Sequence, residues 1–153
     1  MKIYNQSHMR NLIVIPIVTL LFISSCTTEA PEFDFTVSLK NESENTFTVV
    51  ALNDKDEIIF EQILNYMDSS EECMYRRENF QGFNCSSIDS ISVIFENGKG
   101  YACDMRLNNI STEYCFSGKN PFSGSNGFRD LGSNTYEFVV TKQDFNNAHD
   151  LPE

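Results

Sequence analysis

The feature that most constrains the fold of this chain is a strict alternation of apolar and polar side chains that begins at Phe33. The apolar members of the first run are Phe33, Phe35, Val37 and Leu39, and the polar members between them are Asp34, Thr36, Ser38 and Lys40. Successive side chains of a β-strand point to opposite faces of a sheet, so this run predicts a strand with one buried face and one wet face.

The same period of two recurs along the chain. It predicts further strands at Phe47–Ala51, Ile58–Leu64, Glu72–Arg77, Ile91–Phe95, Tyr101–Leu107 and Tyr136–Val140. About seven short strands separated by turn-rich segments predict an all-β fold, specifically an antiparallel β-sandwich. The one helical signal is Thr141-Lys-Gln-Asp144, a capping box that would begin a short helix ending near Ala148.

Register can be predicted at the hairpin around Asn97-Gly98. A two-residue turn would place Phe95 and Tyr101 on opposite faces of the sheet. A three-residue loop, Glu96-Asn97-Gly98 with a left-handed Gly98, pairs Val93 with Tyr101 and Ile91 with Cys103. Because this second choice puts both apolar stripes on one face, it is the register we predict.

The N-terminus has the composition of a secretory signal peptide. Lys2 and Arg10 precede the apolar run Leu12–Ile23, and small residues follow it. The run is shorter than the roughly 20 apolar residues of a membrane-spanning helix. Met9 lies directly before Arg10 and the run, so translation could begin at Met1 or at Met9.

The signal ends in Ile23-Ser24-Ser25-Cys26, which resembles the lipobox of bacterial lipoproteins. The resemblance implies cleavage after Ser25, a diacylglyceryl thioether on Cys26 and acylation of its new α-amine. Several acyl chains anchor a protein far more firmly than one, at about 0.8 kcal/mol per buried methylene. The alternative is a free cysteine beyond an ordinary cleavage site.

These features divide the chain into four predicted parts. Residues 1–25 form the signal peptide, residues 26–32 the lipidated cysteine and a tether, residues 33–148 the β-sandwich, and residues 149–153 a C-terminal tail. The lipobox, the short tether, the Asn-Gly hairpin before Tyr101-Ala-Cys103 and the ending Tyr136–Phe145 together resemble small envelope lipoproteins of Bacteroidota. The resemblance implies a lipid-anchored protein of the cell envelope, at the outer membrane, and carries no known activity.

Four cysteines remain within the predicted domain, namely Cys73, Cys85, Cys103 and Cys115. An even number in an exported chain predicts two disulfides. Neither spacing has the short CxxC step of a zinc site. Connectivity stays open at this point, although we favour the two local pairs, Cys73–Cys85 and Cys103–Cys115, each worth about 3 kcal/mol in the chain-entropy model.

The charge balance is strongly acidic. The chain has 11 lysines and arginines against 22 acids, a formal net charge of −11. Loss of Lys2 and Arg10 with the signal would take that charge to −13. Nucleic acid and anionic lipid surfaces both need a basic protein, so we predict no nucleic-acid partner and a membrane contact made only through the lipid on Cys26.

No catalytic or metal-binding pattern is recognisable. A nucleophile elbow, a phosphate loop and a zinc-binding His-Glu motif are all missing from the sequence. His149 falls in a polar tail, where we expect a solvated side chain. Asp54-Lys-Asp56 lacks the glycine and the distal glutamate of a calcium loop. We therefore predict no enzyme, no metal and no cofactor.

The segment from Phe116 to Phe128 is the longest irregular stretch of the predicted domain. Long loops on a rigid sandwich often carry binding residues. Lys119, Asn120, Phe122 and Phe128 are the binding candidates, and we expect the loop to be dispensable for folding. The alternative is that the phenylalanines complete a small core.

The sequence thus favours a non-catalytic binding or interaction module with a protein or glycan partner. One alternative is an inhibitor or immunity-type lipoprotein against a cationic secreted enzyme, which the negative charge would attract. The other is a carboxylate-dependent envelope hydrolase, for which paired carboxylates such as Glu71/Glu72 are the only hint.

Overall fold

A computed structural model describes residues 29–85, 87–106, 113–124 and 126–152. Its contacts divide the chain into a short N-terminal unit, Met1–Pro31, and a compact unit, Glu32–Glu153. The predicted signal peptide and Cys26 lie outside the described residues, so their roles stay predictions. Within the described segments, no helix has the length and hydropathy needed to cross a membrane.

The described part of the compact unit contains nine strands and one short helix. In chain order they are β1 (Phe33–Glu42), β2 (Phe47–Leu52), β3 (Ile58–Leu64), β4 (Cys73–Arg77), β5 (Ser90–Phe95), β6 (Lys99–Asp104), β7 (Phe128–Gly132), β8 (Thr135–Thr141), α1 (Lys142–Asn146) and β9 (His149–Asp150). The predicted all-β fold is therefore confirmed.

The strands form two sheets. One has four strands in the order β4-β1-β8-β7, and the other has five in the order β3-β2-β5-β6-β9. Every pairing is antiparallel except that of β1 with β8, where Val37 lies opposite Tyr136 and Leu39 opposite Phe138 in a parallel register. A parallel pair needs a long connection, and here most of the domain separates the two strands.

The core lies between the two sheets and follows the alternation of the sequence. Phe35, Val37 and Leu39 of β1 are buried, whereas Phe33, at the end of the strand, is 45% exposed. The inward residues of β2, β5, β6 and β8 meet them. The fully buried side chains include Phe47, Val49, Ile91, Val93, Phe95, Phe138 and Val140.

The predicted hairpin register is confirmed. Ile91 lies opposite Cys103, and Val93 lies opposite Tyr101. Gly98 adopts a left-handed φ of 79° and its N–H donates to Phe95 O at 2.9 Å. The three-residue loop therefore places both apolar stripes on the buried face, as the patterning argument requires.

Both local disulfides are confirmed. Cys73 of β4 pairs with Cys85, and Cys103 of β6 pairs with Cys115. The second bridge is the more deeply buried of the two, since Cys103 and Cys115 belong to the core while Cys73 and Cys85 are partly exposed. Each bridge fixes an irregular segment to the strand from which it departs.

Two strands were not predicted from the sequence. β7 begins with Phe128, the last residue of the presumed loop, and four of its five residues are exposed, so it has no apolar alternation. β9 has two residues, and its His149 pairs with Gly100 of β6. The prediction of a solvated His149 is wrong, because the side chain is half-buried and its ring makes a T-shaped contact with that of Tyr101. The predicted sixth strand ends at Asp104, and Leu107 lies outside the described residues.

Candidate functional site

A cleft of about 600 Å³ opens where Ser117, Lys119 and Gly127 meet β6, the end of β8, α1 and β9. Residues from all of these parts of the chain line it. They are Tyr101, Ser117, Lys119, Gly127, Val139, Thr141, Gln143, Asp144, Asn147 and His149. The volume lies within the range of small-molecule sites, and this cleft is the candidate functional site.

The floor of the cleft is organised by the predicted capping box at the start of α1. Thr141 is the N-cap: its Oγ1 accepts from Asp144 N at 3.3 Å, and Asp144 Oδ2 accepts from Thr141 N at 2.6 Å. A capping box satisfies two backbone donors that the first turn of a helix would otherwise leave without partners. It also fixes the Asp144 carboxylate in one orientation.

Lys119 reaches this carboxylate from the long segment. Its Nζ donates to Asp144 Oδ2 at 2.7 Å and to Val139 O at 2.5 Å. The same ammonium lies 4.8 Å from the ring centroid of Phe116 and 4.9 Å from that of Phe138. Aromatic faces attract cations, so the lysine is held by a carboxylate, a carbonyl and two rings.

This ion pair is largely withdrawn from water. The side chains of Lys119 and Asp144 are 13% and 15% exposed, whereas the ion pair of Lys142 with Glu44 on the surface is 62% and 53% exposed. Burial lowers the pKa of the Lys119 ammonium, and the hydrogen bond to Asp144 and its negative charge oppose that shift. Burial is the larger effect.

Tyr101 forms the wall beside the pair. Its hydroxyl donates to the backbone oxygen of Asp144 at 2.6 Å, and its ring stacks on Phe116 at 3.9 Å between centroids. The His149 ring is perpendicular to it, with 5.5 Å between the ring centroids. Burial, and then the negative charge of Asp144, raise the pKa of Tyr101 to about 12. The phenol therefore stays neutral and donating at physiological pH.

The four predicted binding residues do not form one site. Lys119 lies in the cleft, but Asn120 turns its side chain back on the loop, where its Oδ1 accepts from Phe122 N at 2.8 Å. Phe122 and Phe128 are partly buried against the core. The binding role of all four residues stays a prediction, and of the four only Lys119 lines the cleft.

The long segment is packed rather than free. Phe83 N donates to Pro121 O at 2.7 Å, and Pro121 is fully buried. A Cβ added at Gly124 would lie 2.2 Å from Phe80 O. The alternative stated from the sequence, that this segment completes a small core, describes these contacts better than a dispensable loop does.

Sequence reasoning did not assign Tyr101, Asp144 or His149 to a site. The capping box identified Asp144 as a helix residue, but nothing local connects it to Lys119, which is 25 residues away in the chain. Tyr101 was assigned to the apolar face of its strand, and only its hydroxyl gives it a second role. A tyrosine on the buried face of a strand needs a hydrogen-bond partner for its hydroxyl, and this requirement is the signal that could have identified Tyr101.

The chemistry that the cleft can support is hydrogen bonding with little net charge. Of the residues that line it, Lys119 and Asp144 neutralise each other, and the rest offer hydroxyl, amide, imidazole and backbone groups. Across the described segments, no group of three or more His, Cys, Asp or Glu side chains is placed to hold a metal ion.

Compared with protein-family models, with curated proteins and with solved structures, the chain matches none.

Proposed function

We propose that this chain is a lipid-anchored lipoprotein of the cell envelope, held at the outer membrane by acyl chains on Cys26, and that its β-sandwich is a non-catalytic binding module. The signal peptide and the lipobox support the anchor. The tether after Cys26, Thr27–Glu32, reaches at most about 20 Å. The sandwich would therefore work close to the bilayer.

The observation that carries the binding role is the fixed ion pair in the cleft. Lys119 and Asp144 come from different segments, and each is oriented by further contacts, Lys119 by Val139 O and Asp144 by Thr141. A site whose polar groups are held before the ligand arrives loses less entropy on binding. This preorganisation favours the binding of a ligand in the cleft.

The ligand that suits this cleft is a small polar molecule without net charge. A free anion would have to displace Asp144 from Lys119, and a free cation would have to displace Lys119 from Asp144. A saccharide or a zwitterion could instead bond the outer faces of both and the hydroxyl and amide groups around them. We propose a neutral glycan fragment as the first ligand class.

Ligand-observed NMR with neutral oligosaccharides and zwitterionic dipeptides tests the proposal. Lys119→Met should abolish the binding of any ligand detected in this way, because it removes the ammonium group from the cleft and leaves the Asp144 carboxylate without its ion-pair partner. Lys142→Met is the matched control, since this lysine carries the same charge on the exposed face of α1. Equal binding by both variants would show that the cleft is not the site.

Metabolic labelling with a palmitate analogue tests the anchor separately. The wild-type chain should incorporate the label, and Cys26→Ala should not. Equal labelling of the two proteins would exclude a lipid on Cys26. Loss of the anchor would not affect the cleft, so the two halves of the proposal can fail independently.

A second candidate function is supported by charge. Removal of Lys2 and Arg10 would leave nine basic against 22 acidic side chains. An acidic surface speeds encounter with a basic partner, and salt weakens that effect. This favours an inhibitor of a cationic secreted enzyme.

The hydrolase alternative has no such support. Asp144 is the one carboxylate among the described residues that line the cleft, and it already accepts hydrogen bonds from Lys119 and Thr141.

A further inference from the structure

The five-stranded sheet ends in an edge strand, β3, whose surface is unusually apolar. Ile58, Ile59 and Ile63 are 59%, 43% and 68% exposed. β3 is bonded to β2 on one side, and no described strand pairs with its other side. Edge strands present unpaired N–H and C=O groups that can template another strand.

The regular part of this edge is Phe60–Leu64. A bulge at Ile59 shifts the register, since Leu52 lies opposite Ile58 while Ala51 lies opposite Phe60. From Phe60 onward the alternation is regular. Glu61 and Ile63 lie opposite Val50 and Thr48 on the outer face of the sheet, and Phe60, Gln62 and Leu64 face the core. An incoming strand would therefore pair along these five residues.

Carboxylates flank the edge on both of its faces. Glu61 lies on the outer face. Glu71 lies on the inner side, because its N–H donates to Oε1 of the inward-facing Gln62 at 2.8 Å. Glu71 and Glu72 line a groove of about 210 Å³ beside Ile59 and Phe60. None of these three carboxylates forms an ion pair with a cation of the described segments.

We propose that the β3 edge is a docking site for an extended, basic segment of another protein, which would add to the five-stranded sheet as a sixth strand. Side chains of an added strand alternate between the two faces. Those on the outer face would meet Glu61 and Ile63, and those on the inner face would meet Glu71 and Glu72. Basic side chains would therefore find a carboxylate on either face.

The charge distribution argues against a second copy of this chain as the occupant. Two β3 edges brought together would place the carboxylates of Glu61, Glu71 and Glu72 near their counterparts. Like charges across a strand pair are destabilising, so the same groups that attract a basic strand oppose self-pairing. This docking site is separate from the cleft. It would bind the basic enzyme of the inhibitor function proposed above, and the inference rests on that proposed function.

The test uses the full chain in detergent and a fluorescent peptide of alternating lysine and valine. We expect binding by anisotropy that weakens as salt rises. Glu61→Lys should weaken it by about tenfold or more. Glu96→Lys is the matched control, because it makes the same charge change on an exposed residue of the β5–β6 turn.

Two further peptides separate strand addition from diffuse attraction. Methylation of alternate peptide nitrogens along the pairing edge should abolish binding, because it removes the N–H donors, and a glutamate-valine peptide should not bind. The proposal would be overturned if Glu61→Lys and Glu96→Lys weakened binding equally, or if the methylated peptide bound as well as the unmodified one. It would also be overturned if the lysine-valine peptide did not bind, or if the chain self-associated through β3. Peptide binding is tested through Glu61→Lys and cleft binding through Lys119→Met, so failure of this proposal is distinct from failure of the cleft.

Discussion

Lys119 Nζ lies 2.7 Å from Asp144 Oδ2 and joins the long irregular segment to the only helix in the described residues. The carboxylate accepts at the same time from the N–H and the hydroxyl of Thr141, at 2.6 and 2.7 Å. One aspartate therefore caps a helix, holds a buried cation and shapes the candidate cleft.

The first prediction concerns the stability of the pair. Lys119→Met should lower the free energy of unfolding by about 3 kcal/mol, because it leaves a mostly buried carboxylate without its cation. A double-mutant cycle with Asp144→Asn, followed by denaturant unfolding, should give clear coupling between the two sites. The matching cycle on the exposed pair Lys142–Glu44 should give almost none. Equal coupling in the two cycles would contradict the burial argument.

The second prediction concerns alkaline pH. The pKa of Tyr101 is raised to about 12 from its ordinary 10.0. Its contribution to stability is thus present below about pH 10 and is lost as pH rises towards 12. Absorbance titration of the phenols should show a late step that Tyr101→Phe removes. Burial also raises the pKa of Tyr75, so part of the late absorbance change should remain in Tyr101→Phe. Tyr66→Phe is the control, because Tyr66 is 56% exposed. A late step of undiminished amplitude in Tyr101→Phe would show that Tyr101 does not contribute to it.

The third prediction concerns the order in which the disulfides react. Cys73 and Cys85 are partly exposed, whereas Cys103 and Cys115 are buried in the core. Mild reduction followed by alkylation and mass spectrometry should label the first pair before the second, because the attacking thiolate needs access. Simultaneous labelling of all four cysteines would mean that global unfolding, and not local access, controls reduction.

The fourth prediction concerns the long segment. Deleting Asn120–Asn126 and closing the gap with glycines should lower the melting temperature strongly, because it removes the buried Pro121 and the hydrogen bond from Phe83 N. Gly124→Ala should also destabilise, since its Cβ would lie 2.2 Å from Phe80 O. Gly118→Ala is the comparison: a Cβ there would meet nothing within 4 Å, so its cost is limited to that of its positive φ of 77°, which Gly124 does not share. Gly124→Ala should therefore destabilise more than Gly118→Ala. A deletion variant with an unchanged melting temperature would instead support the expectation from the sequence that the loop is dispensable for folding.

Period-two patterning was sufficient to predict the all-β class and most strand positions. Side chains in a strand alternate strictly, and one face must be buried, so Phe35, Val37 and Leu39 had to face the core. The same argument predicted the register of Val93 with Tyr101. The local disulfides and the Thr141–Asp144 capping box were also within reach, because each joins residues that are close in the chain.

The tertiary structure decided what depends on distant segments. The parallel pairing of β1 with β8, the edge strand β7 and the placement of His149 beside Gly100 have no signature in a local pattern. The same holds for the cleft: a lysine in an irregular segment and an aspartate at a helix start became an ion pair only through packing. Local spacing determines which face a side chain takes, but strand order and burial come from contacts between segments far apart in the sequence.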